Sequence, residues 1–337
     1  MPSVPTLAYH VVDVFTDHPF AGNPLAVVLD ADDLPTDALQ AIALEFHLSE
    51  TAFPMRSAVA DYRLRIFTPD TELPFAGHPS VGTAWLLARL GKIGQGVVRQ
   101  ECGAGVLPVD VTGDSATVTG GPPSSGPPLD PVPLLPLVGL DADALVVPPD
   151  DRGGDGSPSP AADGSAPPAP RVSGAGLSFL FLQVSTTAVA AARPDFGAIT
   201  EVARPLGALG MSVFSWEPAA RRVHARVFVP GIGEDPATGA AGVGLGVYLA
   251  AADLVPDDAT TAYTIHQGAE IRRPSVLECT VTRTAGAVTR TTVGGAVTHV
   301  ATGEVVRPGG HPDPATGTRA GGSGGPGSAV GRSAAAP

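Results

Sequence analysis

The sequence predicts an α+β protein built from two similar domains related by a pseudo-twofold axis. Strand-like and helix-like patterns alternate in both halves of the chain, and one hexapeptide is written twice, as PFAGNP at 19–24 and PFAGHP at 74–79. A longer repeat relates 65–87 to 226–250, because each segment reads Arg-x-Phe-x-Pro, a loop, Pro-x-x-Gly and then an apolar stretch rich in small residues. Two strand–loop–helix units of one design indicate two like domains.

Composition restricts the class of partner. The 337 residues suffice for about two domains, and 43% of them are hydrophobic. The formal net charge of −13 argues against nucleic acid and against an anionic membrane, since both require a basic face. No apolar run approaches the roughly 18 residues of a membrane span, and the N-terminus lacks a signal-peptide pattern. We therefore expect a cytoplasmic protein.

The reactive side chains argue against a metal and against a cofactor. Cys102 and Cys279 have no second Cys or His at metal-ligand spacing, and a reducing compartment favours buried free thiols. Pyridoxal phosphate needs a lysine for its Schiff base, and Lys92, the one lysine, follows a helix end that faces solvent. We expect no metal and no cofactor.

Two segments have the composition of disorder, one between the folded blocks and one after them. Residues 150–171 and 307–337 consist largely of Pro, Gly, Ala, Ser and Asp and have almost nothing to bury. The folded blocks are then about 1–120 and 172–306. The DPATG at 313–317 lies in the second of these segments, without a preceding strand or a following helix, and is assigned no function.

The elements of the first block follow from periodicity. Period-two alternation predicts strands, and a helix beginning at Thr36 places Leu39, Ile42, Ala43 and Phe46 on one stripe. The strands are expected at 7–15, 25–30, 48–53 and 62–69, and the helix at 36–46.

The two hexapeptides precede different secondary structure. The Asn copy continues as a strand, and we interpret Asn23 as holding the turn through its amide. The His copy continues as a helix that ends before Gly91, and a Pro at its first position would make His78 the N-cap residue. An N-cap side chain lies beside unsatisfied N–H groups, where a carboxylate binds well, and Gly77 allows a ligand to approach closely.

Aligning the longer repeat predicts a cleft between the domains. Gly77 matches Gly239, and His78 matches Ala240. The two helix N-termini would then meet across a central cleft, a geometry suited to a small anionic substrate.

Three ionisable residues are candidates for the chemistry. Glu50 lies among apolar and hydroxyl side chains, and a desolvated glutamate can take and return a proton near neutral pH. From the residues alone, a Glu50 that faces water on an edge strand is equally open. His78 and Asp235 could each simply cap a helix, although Ser, Thr, Asp and Asn cap better than His.

Five motifs carry a family resemblance. FTDHPFAGNPLAVV, LSETAF, FTPDTELPFAGHPSVGTA, GEDPATGAA and HQGAEIRRPSVL occur in order and resemble the PhzF-like isomerases of phenazine biosynthesis. That family shares the diaminopimelate epimerase-like fold, which implies two pseudo-symmetric domains, each a sheet rolled around a central helix. The resemblance implies that about 291–306 returns to the N-terminal domain, 1–120, while 121–290 forms the C-terminal domain with the insertion 150–171. The tail is 307–337.

The resemblance also implies an activity. It predicts a cofactor-independent isomerase that moves a proton within a small cyclic amino acid such as trans-2,3-dihydro-3-hydroxyanthranilate. The family's catalytic positions fall on Glu50, the acid/base group, and on His78 and Asp235. Four further residues are expected to contact the substrate: Gly77, Ser80, Gly239 and Ala240. Ala240 departs from the family pattern, which has Ser there, and this places the substrate in question more than the fold.

Two other functions stay open. One is an amino-acid racemase, epimerase or dehydratase on the same scaffold, against which the lack of a second base opposite Glu50 counts. The other is a non-catalytic protein that binds a small acid, for which the Ala240 departure gives some support. We expect a homodimer with a small amino-acid-like anion as its ligand.

Overall fold

The computed structural model describes residues 5–145 and 167–308, and strands dominate this part of the chain. The strands are β1 (Thr6–Val14), β2 (Asn23–Val28), β3 (Thr51–Met55), β4 (Tyr62–Phe67), β5 (Glu72–Leu73), β6 (Gly96–Cys102), β7 (Gly105–Thr112), β8 (Ser115–Thr119), β9 (Pro123–Ser125), β10 (Arg171–Ala175), β11 (Leu177–Gln183), β12 (Met211–Glu217), β13 (Arg222–Val229), β14 (Gly233–Asp235), β15 (Thr260–Gln267), β16 (Ser275–Thr284) and β17 (Ala287–Val306). The α-helices are α1 (Thr36–Phe46), α2 (Gly77–Arg89), α3 (Thr186–Ala191), α4 (Phe196–Ala203) and α5 (Gly239–Ala251).

Eight strands close into a first ring around α2. β1 pairs with β2, and the ring continues through β3, β4, β6, β7 and β8 to β17, which pairs back with β1. The helix is buried along its length because it carries apolar residues on every side, among them Val81, Ala84 and Trp85. This ring corresponds to the first of the two predicted units, in which a sheet is rolled around a central helix.

A second ring surrounds α5 and repeats the first. The order of antiparallel and parallel pairings is the same in both rings. It runs from β1 to β8 in the first ring, and in the second it runs through β10, β11, β12, β13, β15, β16 and β17. β9 pairs with β10, and the amide of Gly120 just before β9 donates to the Thr291 carbonyl of β17 at 2.9 Å. Small residues on α5 are needed because the strands approach closely, with a Cβ at Gly246 falling 2.7 Å from the Tyr263 hydroxyl.

The predicted internal repeat is confirmed at the level of register. In the first copy β4 pairs with β5 so that Phe67 faces Glu72, and in the second β13 pairs with β14 so that Phe228 faces Glu234. Each pair leads into a 13-residue helix, α2 or α5. The two segments are therefore equivalent strand–loop–helix units.

β17 belongs to both rings. Its first residues pair with β16, its middle with β8 and its last with β1. The return of the chain after 291 to the first ring is therefore visible in the pairing of Val297 to Val306 with β1. One buried apolar cluster includes side chains from both rings, and the described residues up to Arg307 form one compact unit. The domain boundaries at 120 and 291 stay predictions.

The structure corrects two local predictions. His78 is not the N-cap: α2 begins at Gly77, with Ala76 as its N-cap, so His78 is the second helical residue. Glu50 does not lie in a strand but immediately precedes β3, which begins at Thr51. The predicted end of α2 is confirmed, since Gly91 follows the C-cap with a left-handed φ of 68°.

Both predicted disordered segments extend too far toward the folded part. Arg171 begins β10, and the Tyr248 hydroxyl donates to the carbonyls of Pro168 at 3.1 Å and Ala169 at 3.3 Å. The amide of Arg307 donates to the Pro5 carbonyl at 2.9 Å. Residues 150–166 and 309–337, with the DPATG at 313–317, lie outside the described residues.

Two further findings concern the described residues. Cys102 and Cys279 are buried free thiols, as predicted. In 5–145 and 167–308, every helix falls short of the length and apolar character that crossing a membrane requires.

Candidate active site

The three predicted catalytic residues meet where the two rings face each other. Glu50 Oε2 lies 3.5 Å from His78 Nε2, and the two side chains are 12% and 5% exposed. Asp235, at the end of β14, is buried as well, and the pKa of Glu50 is raised by burial and, to a smaller extent, by the charge of Asp235. Residues from the start of β3, the start of α2 and the end of β14 therefore form one enclosed cluster.

The helices α2 and α5 begin against each other, as the repeat predicts. A Cβ built on Gly77 would lie 3.3 Å from Gly239 Cα, and one on Gly239 would lie 3.4 Å from Gly77 Cα. The approach at Gly77 is tighter than an ordinary contact and favours glycine there, whereas a Cβ at Gly239 would lie at the limit of ordinary contact. Both helices direct unsatisfied N–H groups and the positive ends of their dipoles at this point, which favours an anion.

Asp235 is held by donors from both rings. Its Oδ2 accepts from Thr238 Oγ1 at 2.5 Å, and its Oδ1 accepts from Asn23 Nδ2 at 2.9 Å. Its carbonyl accepts from Gln267 Nε2 at 2.7 Å. Asp235 therefore does not cap α5 itself, whose N-cap is Thr238.

Burial sets the charge state of the cluster. Desolvation, with a further contribution from Asp235, raises the pKa of Glu50 to about 8. Desolvation also raises the pKa of Asp235, but the hydrogen bonds from Thr238 and Asn23 oppose this shift. At neutral pH we therefore assign the negative charge to Asp235 and a proton to Glu50.

His78 is neutral and has an unsatisfied nitrogen. Burial lowers the pKa of its imidazole to about 3. Its Nε2 is buried and has no hydrogen-bond partner, although Glu50 lies close by. Buried polar atoms without a partner are uncommon, and this one lies beside the helix starts, where a ligand could supply the missing partner.

The predicted substrate-contacting residues divide into two groups. Gly77, Gly239 and Ala240 lie at the facing helix starts, and Ala240 is half-buried. Ser80 is different: its hydroxyl is fully buried, donates to the Ala76 carbonyl at 2.8 Å and accepts from Gln100 Nε2 at 2.9 Å. Its hydroxyl donates and accepts inside the first ring, so this geometry gives no support to a contact with the substrate, which stays a prediction.

Arg226 holds the short strand that carries Asp235. Arg226 on β13 forms two hydrogen bonds to Glu234, at 2.9 and 2.7 Å, and donates to the Ala192 carbonyl at 2.8 Å. Glu234 directly precedes Asp235 on β14. The sequence analysis assigned no role to Glu234, because its pairing with Arg226 is not evident from the spacing of the two residues.

Sequence reasoning missed the roles of Asn23 and Gln267. Asn23 was interpreted as holding its own turn, but its amide reaches Asp235 in the other ring. Gln267 was not singled out within its motif, but its amide donates to the Asp235 carbonyl. Both residues lie inside the motifs FAGNP and HQG, and this was the one signal in the sequence that could have marked them as part of the site.

Two cavities in the described residues lie away from this cluster. One of about 280 Å³ is lined by residues such as Arg65, Glu72 and Gly103, and one of about 240 Å³ by residues such as Asp30 and Tyr62. Neither is lined by Glu50, His78 or Asp235. Within residues 5–145 and 167–308, His, Cys, Asp and Glu form no group of three or more that could hold a metal ion.

The chain is similar to known proteins in sequence and in fold. The family model of phenazine biosynthesis-like proteins, PhzC-PhzF, matches residues 12–127 and 156–303. The chain is 31% identical over 297 residues to the uncharacterized isomerase YddE of Escherichia coli O157:H7, covering 86% of this chain and 94% of that one. It is 31% identical over 290 residues to the trans-2,3-dihydro-3-hydroxyanthranilate isomerase of Pseudomonas fluorescens, covering 85% and 95%. Its fold is similar to that of a PhzF-family protein from Bacillus anthracis, with a TM-score of 0.77, 24% identity and coverage of 89% and 99%.

Proposed function

This chain belongs to the phenazine biosynthesis-like (PhzC-PhzF) family of isomerases, and we propose that it moves a proton within a small cyclic amino acid, with Glu50 as the acid/base group. The observation that carries this proposal is the enclosed carboxyl of Glu50, whose pKa is raised to about 8, beside two convergent helix starts. Such a carboxyl can accept a proton and return it at near-neutral pH.

The site offers complementary groups for both ends of an amino acid. A carboxylate would accept hydrogen bonds at the starts of α2 and α5, where the N–H groups and dipoles favour an anion. His78 Nε2, which is buried and unsatisfied, would give the substrate a neutral hydrogen-bonding partner. The negative Asp235 would hold an ammonium or amine. Holding both ends fixes which carbon faces Glu50.

The proton transfer then needs one group acting twice. Ionised Glu50 removes a proton from one ring carbon and becomes a neutral acid. It then delivers that proton to another carbon on the same face, which moves the double bond and restores the carboxylate. With a pKa of about 8, close to neutral pH, the same carboxyl can exist both in the ionised form that removes a proton and in the neutral form that returns it.

Closure of the two rings around the substrate is part of this proposal. Glu50 and His78 are almost inaccessible to solvent, and the two cavities described above lie elsewhere. A ring-sized substrate therefore enters when the rings separate, and closure excludes water from Glu50. Water exclusion keeps the pKa raised and protects the transferred proton from exchange.

A racemase or epimerase receives less support. Racemisation uses a base on each face of the carbon, whereas the position equivalent to His78 in the second unit is Ala240, and Cys102 and Cys279 lie on strands rather than at the helix starts. Likeness to a hydroxyproline epimerase from Agrobacterium vitis, at 13% identity and a TM-score of 0.58, shows the fold alone.

Deuterium uptake from heavy water tests the proposal and separates the alternatives. The protein is incubated with trans-2,3-dihydro-3-hydroxyanthranilate, with other cyclic amino acids and with proline-type amino acids. We expect a shifted double bond in a cyclic unsaturated amino acid, with deuterium at the new C–H only to the extent that the Glu50 proton exchanges. Deuterium at the α-carbon with inverted configuration would instead identify a racemase. Tight binding with neither change would identify a non-catalytic binding protein.

A further inference from the structure

We infer that Asn23 is a positioning residue, which fixes Asp235 of the opposite ring beside Glu50 and keeps Asp235 as the charged member of the pair. This inference rests on the proposed function for its catalytic consequence, but its structural content is independent of any substrate. It gives the first hexapeptide a role at the same site as the second.

The geometry of Asn23 is fully determined by its hydrogen bonds. The residue is 0% exposed and begins β2 in the first ring. Its Nδ2 donates to Asp235 Oδ1 and to the Ala237 carbonyl, both at 2.9 Å, and its Oδ1 accepts from Ser49 Oγ at 3.1 Å. Both N–H groups and the oxygen are thereby used, so the amide has one orientation that satisfies every partner.

Only a short amide meets these requirements. An aspartate at position 23 would place a second acceptor against Asp235 Oδ1 and the Ala237 carbonyl, with no proton to share. Leucine has similar volume but no donor, so it would leave both oxygens unsatisfied in a buried place. The Asn of the first hexapeptide and the His of the second thus both serve the same cluster, in different ways.

The same amide links the two carboxyl groups through Ser49. Ser49 directly precedes Glu50, and its hydroxyl donates to the Asn23 oxygen. A chain of hydrogen bonds therefore runs from the segment carrying Glu50, through Asn23, to Asp235 on β14. Because Asp235 comes from the other ring, this chain is complete only when the rings are closed as they are here.

The neighbours of the pair explain why the hydrogen bond matters for charge. The titratable side chains of the cluster are Glu50, His78 and Asp235, and His78 is neutral. The remaining partners are uncharged: Asn23, Ser49, Thr238 and Gln267. The donors of Asn23 and Thr238 therefore stabilise the anion on Asp235, and the shared proton resides on Glu50.

The test compares Asn23→Leu with a matched control, Gln40→Leu. Gln40 also donates its amide to two carbonyls, of Thr68 at 2.8 Å and Pro69 at 2.9 Å, but both belong to the first ring. The titrations of Asp235 and Glu50 are followed by ¹³C NMR of the side-chain carboxyls, with assignments from Asp235→Asn and Glu50→Gln. No substrate is required.

We expect Asn23→Leu to raise the titration midpoint of Asp235 by roughly one to two pH units, because a charged group loses a buried donor. Glu50 should then titrate in two steps, since Asp235 takes a share of its proton. Gln40→Leu should leave both titrations unchanged. If Asn23→Leu does not fold, Asn23→Ala is measured in the same way and should give the same direction of shift.

The outcomes separate this inference from the proposed function. An Asp235 midpoint equal to that of the wild type in folded Asn23→Leu or Asn23→Ala would overturn the role assigned to Asn23. A wild-type Glu50 that titrates near 4.5 would instead count against Glu50 as the proton carrier, whatever Asn23 does.

Discussion

Glu50 shows that a group suited to proton transfer weakens the fold that holds it. Its pKa rises from 4.5 toward about 8 because the folded protein buries the carboxyl beside Asp235. The folded state therefore binds the proton more tightly than the unfolded state does. Between these two pH values the unfolded chain releases the proton and the folded chain keeps it, so stability falls as the pH rises.

Glu50→Gln should therefore stabilise the protein most at high pH. Glutamine keeps the shape of the neutral acid but cannot ionise, so it removes a penalty on the order of 3 kcal/mol at pH 7. We expect the melting temperature of the variant to exceed that of the wild type by several degrees at pH 8 and by little at pH 5. Glu45→Gln, at an exposed position on α1, serves as the control and should show no such trend. A difference that is the same at both pH values would mean that the Glu50 carboxyl is not desolvated.

At the scale of elements, each of the two strand–loop–helix units contains an equivalent set of three side chains, which we call its brace. In each unit an arginine forms two hydrogen bonds to a glutamate on the short strand and stacks 5.1 Å from a phenylalanine ring. The residues are Arg65, Glu72 and Phe67 in the first unit and Arg226, Glu234 and Phe228 in the second. The brace fixes each short strand, and through it the start of the helix that follows.

The contact between the two helix starts should be sensitive to a single methyl group. Gly77→Ala places a Cβ 3.3 Å from the facing backbone, so the helix starts must move by a few tenths of an ångström, whereas Gly239→Ala places one at 3.4 Å, the limit of ordinary contact. We expect turnover of the identified substrate to fall roughly tenfold or more in Gly77→Ala and by less in Gly239→Ala, since small misplacements of catalytic groups are costly. Gly94→Ala is the matched control, because nothing lies within 4 Å of its added Cβ. Full activity in both Gly77→Ala and Gly239→Ala would contradict the assignment of the helix starts to substrate binding.

Elements with local signals were predictable, and contacts between distant segments were not. The apolar stripe of α1 and the repeat preceding α2 and α5 gave helix positions from sequence alone, and the equivalence of Gly77 and Gly239 led to the facing helix starts. The N-cap of α2 was misplaced because Pro79 was taken as the first helical residue, whereas the helix begins two residues earlier, at Gly77. Asn23 was missed because its partner, Asp235, is 212 residues away and no local pattern reports that contact.

For the molecule as a whole, β17 makes the two rings one folded body. The strand has twenty residues and pairs with β16, β8 and β1 in turn. Its buried residues Val293 and Val297 belong to an apolar cluster that includes side chains from both rings. The sequence suggested two domains from the repeat, but a strand shared between them has no signature in periodicity.

We therefore expect the folded part to unfold in a single transition. Scanning calorimetry should give one peak whose calorimetric and van't Hoff enthalpies agree, because neither ring is complete without β17. Val293→Ala, which leaves a cavity in the shared cluster, should lower that one melting temperature without splitting the peak. Two resolved peaks would show that the rings are energetically independent.

The most direct test of the central claim is the turnover of Glu50→Gln on trans-2,3-dihydro-3-hydroxyanthranilate, or on the substrate that deuterium uptake identifies. Glutamine preserves the shape and hydrogen bonding of the side chain but cannot accept a proton. We predict that binding of the substrate persists while turnover falls by roughly 10²–10⁴. Near-native turnover by a folded Glu50→Gln variant would contradict the account and place the base on another residue.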